Sequence, residues 1–145
     1  MKRAISDIVK DYFTPKVSRL FIKSRDVEPI YLKTKIKPPK SIWIKPLLIG
    51  QNLLVVLAFR QKGAKDPPHM HPNHESMAYL ISGKIKLKIG NKEYIAHEDC
   101  AWYHPAGVEH SAVALEDCVQ IEVKSFFPSG TSNKNVDCNS KIGTM

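Results

Sequence analysis

From Val17 to Phe127 the chain is written in short runs whose apolar side chains recur at every second position, each run closed by glycine, proline or asparagine. A period of two places alternate side chains on opposite faces of an extended strand, whereas a helix needs a period near 3.6. In "KIKLKIG" (84–90), Ile85, Leu87 and Ile89 share one face and the lysines the other. "VSRLFIK", "PIYLKTKI" and "SIWIKPLLI" are β-branched and aromatic runs broken by proline. "NLLVVLAFR" is apolar on both faces, as a central strand would be. "SMAYLIS" passes through Gly83 into the lysine-rich run, and Gly90-Asn91 turns the chain into "KEYIA", a hairpin series. In "VQIEVKSFF", Val119, Ile121 and Val123 are expected inside and Gln120, Glu122 and Lys124 outside. Helical spacing is confined to residues 3–13, "RAISDIVKDYF", where Ile5, Ile8, Val9, Tyr12 and Phe13 form a stripe that ends before Pro15. Many short strands and one short helix predict an all-β sandwich or barrel.

A length of 145 residues suits one domain with its own core. The segment from Pro128 on is polar and without period, and is expected to be a flexible tail. The longest apolar run, Leu53 to Phe59, is too short to cross a bilayer, and the N-terminus lacks the apolar block of a secretory signal. The expected location is therefore cytoplasmic, with no membrane partner. Cys100, Cys118 and Cys138 form no C-x-x-C pair, which suits free thiols in a reducing compartment. The net charge of +8 comes mostly from lysines on the outer sides of strands, so a solvated surface is expected and no nucleic acid. Such a surface draws carboxylated or phosphorylated small molecules.

The chemistry gathers in "HMHPNHES" (69–76) and "HPAGVEH" (104–110). Histidines two apart on a strand turn both rings to one face, and inside a barrel they converge on a point. A metal needs a third ligand from elsewhere, and the Pro105-x-Gly107 turn delivers His110 at the start of a strand.

These segments resemble the two motifs of the cupins, G-(X)5-H-X-H-(X)3,4-E-(X)6-G and G-(X)5-P-X-G-(X)2-H-(X)3-N. Gly63, His69, His71, Glu75 and Gly83 answer to the first, and Pro105, Gly107 and His110 to the second. The resemblance runs from about Ile44 to Phe127, and "HSAVALEDCV" is similar to the end of small cupins that process unsaturated uronates. It implies a double-stranded β-helix (a jelly-roll barrel) over 44–127, preceded by a helix and strand extension over 1–43 and followed by the tail 128–145. It also implies a divalent metal (iron, manganese, zinc, nickel or copper) on His69, His71 and His110, and a homodimer.

Two departures matter. Counted from His71, the acidic ligand slot falls on Glu75; counted back from Gly83, it falls on Ser76. A slip of one residue reverses every side chain of a strand, so both cannot hold. Ser76 inward brings His74 with it as a fourth ligand, a bulge turns Glu75 inward instead, and a bare three-histidine site is the third outcome. The Gly83 hairpin favours Ser76. In the later motif, Asp99 stands where the opening glycine belongs and Ala114 where the final asparagine belongs.

Glu75, His74 or Tyr103 is expected to move a proton beside the metal. Of Tyr79, Trp102 and Tyr103, register decides which faces the pocket. His97 reads as a surface residue, and His104 as a pocket or structural one. The expected function is a metal-dependent enzyme acting on a small oxygenated or anionic substrate, a sugar-acid isomerase, a ring-opening enzyme or a dioxygenase. The alternative is a non-catalytic cupin that binds a small ligand, with or without metal.

Overall fold

The computed structural model describes residues 20–32 and 42–125. The helix expected over 3–13, most of the extension and the tail lie outside the described residues. Leu20 to Lys23, expected as strand, instead leads into a single 3-10 turn at Ser24–Asp26.

Ten strands follow among the described residues: β1 (Ile30–Tyr31), β2 (Ile42–Ile49), β3 (Leu53–Arg60), β4 (Lys65–His69), β5 (Ser76–Ser82), β6 (Lys84–Ile89), β7 (Lys92–His97), β8 (Ala101–His104), β9 (His110–Ala114) and β10 (Cys118–Ser125). They form two antiparallel sheets, one ordered β1-β2-β3-β10-β5-β8 and the other β4-β9-β6-β7. Chain neighbours β5 and β6 lie in different sheets, as do β9 and β10, so the chain crosses repeatedly between layers. This is the jelly-roll arrangement.

Gly83 makes the tightest crossing. Its φ of +98° suits glycine, and a Cβ there would lie 2.2 Å from the Asp117 carbonyl oxygen. Asp99 takes a φ of 68°, the left-handed conformation for which the family motif uses glycine.

The core lies between the layers. Leu80 and Cys118 of the larger sheet meet Ile85, Leu87, Ala96, Ala112 and Ala114 of the smaller, with Trp102 packed alongside. A second cluster, Ile44, Leu54, Val56 and Ala58, lies on β2 and β3, towards the β1 edge of the larger sheet. Burial of a side chain such as Leu80 or Ile85 contributes about 1.5–3 kcal/mol.

One expectation is reversed. On β10 the buried face carries Cys118, Gln120, Glu122 and Lys124, while Val119, Ile121 and Val123 stand half-buried on the outside. Alternation fixes which residues share a face and leaves open which face is inward. Here the interior is polar because β10 lines the pocket described next.

Candidate metal centre

The β4–β9 register sets His69 directly opposite His110, with ring centroids 4.3 Å apart. β4 ends at His69, so His71 projects from the following loop and not from a strand. It nonetheless converges, at 4.9 Å from the His69 ring and 5.3 Å from that of His110. The Gly107 N–H donates to the His71 carbonyl oxygen at 2.9 Å, tying the Pro105-x-Gly107 turn to this loop. Gly107 has a φ of +76°, so the turn depends on the residue type that the later motif carries there.

The ligating atoms of His69, His71 and His110 all lie within 4.8 Å of one another. Nitrogens held 2.0–2.1 Å from one ion lie about 3–3.5 Å apart, so a small inward movement of the rings closes the set. Two of the rings are oriented by backbone. His69 Nδ1 lies 2.7 Å from the Pro67 carbonyl oxygen and His110 Nδ1 3.1 Å from that of Val108. A ring that donates from Nδ1 keeps the Nε2 lone pair for a metal.

The electrostatics agree. Burial lowers His71 to about 3, with His74, Lys124, His69 and His110 adding to the effect. Burial also lowers His110, opposed in part by its Val108 hydrogen bond. Both are neutral imidazoles near pH 7, the form that binds metal.

The fourth position differs from the motif. Ser76 is 3% exposed and faces inward, with its Oγ 3.3 Å from His104 Nδ1. Glu75 is exposed and accepts a hydrogen bond from the Tyr103 hydroxyl. Regular alternation from Ser76 onward puts Glu75 and Tyr103 on the outer side of β5 and β8, where neither lines the pocket. The proton-transfer roles expected for this pair therefore have no geometric support. His74 stacks on His71 at 4.1 Å and lies outside the triad. Tyr79 is also outward, its hydroxyl bonded to Asp99, whereas Trp102 faces the pocket.

Beyond the triad lies a cavity of about 50 Å³, with Trp102, His104, Gln120, Glu122 and Lys124 among its lining residues. The His104 ring lies 3.9 Å from that of His110 and nearly parallel to it. Burial holds His104 at about 4, helped by His110. Lys124 Nζ is 2.7 Å from Glu122 Oε1, and Arg60 is 2.7 Å from Asp66. Arg60 Nε also donates to Gln120 Oε1 at 3.4 Å. Burial works against ionisation of Glu122, but the attraction and hydrogen bond of Lys124, with Arg60 and His104, hold it at about 2. Glu122 is thus a buried, ionised carboxylate beside the triad. Sequence reading missed it, although Gln120, Glu122 and Lys124 fall at i, i+2 and i+4 on one face.

The family model "Cupin domain" matches residues 56–123. An oxidoreductase of Arthrobotrys oligospora is 32% identical over 69 residues, 47% of this chain and 27% of that protein, so the match spans about a quarter of its length. Among solved structures, KdgF from a Halomonas species superposes with a TM-score of 0.62 at 24% identity, covering 72% of this chain and 91% of that one. An RmlC-like cupin from Shewanella frigidimarina gives 0.64 at 19% identity, covering 78% and 94%. A predicted oxalate decarboxylase from Thermotoga maritima gives 0.65 at 14%, covering 74% and 100%. At these identities the likeness speaks for the fold, and with the family match over residues 56–123 it leads to one conclusion: the barrel of this chain has the cupin fold.

Proposed function

We propose that the protein is a divalent-metal enzyme acting on a small oxygenated acid, and that its chemistry is proton transfer of the isomerase or ring-opening kind. The observation that carries this reading is the convergence of three imidazoles, two with Nδ1 tied to backbone carbonyls, in a cavity that Gln120, Glu122 and Lys124 also line. A bound divalent ion would supply Lewis acidity to a carbonyl or hydroxyl oxygen. His69, His71 and His110 would hold it, leaving coordination positions open to substrate. An imidazole set suits zinc, iron, nickel, copper or manganese.

The remaining work falls to the cavity wall. Glu122 is an ionised carboxylate on that wall, held in a fixed pair with Lys124, so it orders the polar groups of a substrate and is too weak a base to take its proton. Buried charged side chains that can order a polar substrate support isomerisation, whereas oxygen chemistry needs only a redox metal and open positions. The non-catalytic reading rests on Ser76, which stands where the family motif has a carboxylate ligand. The protein is further proposed to be cytoplasmic, and no described helix is long and apolar enough to cross a membrane.

Metal-loaded protein incubated with a panel of sugar acids, unsaturated uronates included, separates these readings when products are followed by NMR and oxygen uptake is recorded in parallel. Product without oxygen uptake supports the isomerase. Oxygen consumption in step with product supports the dioxygenase, and stoichiometric ligand binding without turnover supports the binding protein.

A further inference from the structure

Three buried side-chain nitrogens lack a hydrogen-bond partner among the described residues; Arg60 Nη1 has the Asp66 carboxylate at 2.7 Å as its ion-pair partner, which leaves Trp102 Nε1 and His104 Nε2. They belong to alternate residues of β8, and both side chains line the cavity. An indole N–H can only donate. His104 Nδ1 pairs with the Ser76 hydroxyl at 3.3 Å, and in the tautomer where that hydroxyl donates, the ring proton sits on Nε2. Buried polar groups are almost always satisfied in native proteins, and with His104 in that tautomer two donors on one cavity wall call for an acceptor.

We infer that Trp102 and His104 form a seat for a carboxylate, and that the ligand is a small organic acid with a second oxygen function within reach of the imidazole triad. The inference deepens the proposed function and rests on it for the metal end of the ligand alone. Charge favours an anion here. The cavity's own carboxylates are already matched, Glu122 by Lys124 and Asp66 by Arg60. The net charge of +8 draws anions to the surface, and an ionised acceptor strengthens each hydrogen bond it receives. Size restricts the class further. A cavity of about 50 Å³ admits a few non-hydrogen atoms, either a very small acid or the acidic end of a longer one.

Calorimetric titration of zinc-loaded protein tests this with three probes: glycolate, its neutral analogue ethylene glycol, and azide as an anion that needs only the metal. Glycolate is expected to bind at least about tenfold more tightly than ethylene glycol. Trp102→Phe and His104→Phe, which keep aromatic rings in place, should each weaken glycolate by roughly tenfold while zinc content and azide affinity stay within about twofold. His104→Gln, which restores a donor, should recover most of the loss. The His104 pair gives an independent reading should Trp102→Phe disturb the core. Unchanged glycolate affinity in both phenylalanine variants overturns the inference. A parallel fall in azide affinity or zinc content also overturns it, because the residues would then be supporting the triad. A wild-type protein that takes up no zinc overturns the metal reading instead. The seat is then judged on glycolate titrations of metal-free protein, in which the same variants must still weaken binding.

Discussion

At the scale of single residues, the pocket combines neutral imidazoles with a fixed ion pair, and each makes its own prediction. Lys124 and Glu122 are 7% and 8% exposed and joined at 2.7 Å. Removing one partner of a buried pair strands the other charge, at about 3–5 kcal/mol. Lys124→Met should lose that much stability in denaturant melts, and Glu122→Gln added to Lys124→Met should recover most of it. A loss below about 1 kcal/mol in the single variant would show that the pair is not structural. The histidines set the acid limit. His71 at about 3 and His104 at about 4 lie below the ordinary 6.5, and His74 and His110 are lowered as well. Below about pH 6.5 the unfolded chain therefore binds more protons than the folded one, and stability falls as pH falls. Glu122, at about 2 against an ordinary 4.5, adds to this only below pH 4.5. The melting temperature of metal-free protein should thus hold above about pH 6.5 and drop steadily towards about pH 5, and a flat profile over that interval contradicts the assignment.

At the scale of elements, turns hold the strands in register. A Cβ at Gly83 would meet backbone, 2.2 Å from the Asp117 oxygen and 2.9 Å from Cys118 Cα, whereas one at Gly107 would meet nothing within 4 Å. Both glycines have positive φ, so Gly83→Ala should cost more than about 2 kcal/mol and Gly107→Ala about 1 kcal/mol. Equal losses in thermal melts would remove the crossing at Gly83 as a determinant of the fold. The β6–β7 hairpin through Gly90-Asn91 was legible in sequence because turn residues and strand period agree locally, whereas the hairpin expected at Gly83 is a crossing between sheets, since β5 and β6 do not pair. The grouping of His69, His71 and His110 was legible too, carried by two short motifs with fixed spacing. The β10 face was not, since alternation is symmetric about the strand. The stacking of His104 on His110 was equally hidden, since it depends on how the β8–β9 turn brings two sheets together. Glu75 and Ser76 differ by one position, and only the pairing of β5 with β8 and β10 decides which of them points inward.

At the scale of the whole molecule, the two faces of the larger sheet divide the tasks. Its inner face closes the pocket, while its outer face shows Met77, Tyr79 and Ile81 at 57%, 43% and 41% exposure beside Val119, Ile121 and Val123. The homodimer that the family resemblance implies would bury this apolar face. Light scattering should then give twice the chain mass, with Met77→Lys combined with Ile81→Lys shifting it to the monomer; a monomeric wild type contradicts the dimer. The pocket account depends on one ion held jointly by three rings from β4, the loop after it and β9. X-ray absorption of zinc-loaded protein tests that most directly. The account predicts one zinc per chain with three imidazole nitrogens at about 2.0–2.1 Å, falling to two or fewer when His110 is changed to alanine. A zinc bound through sulfur, or one whose surroundings are unaltered in His110→Ala, would contradict it.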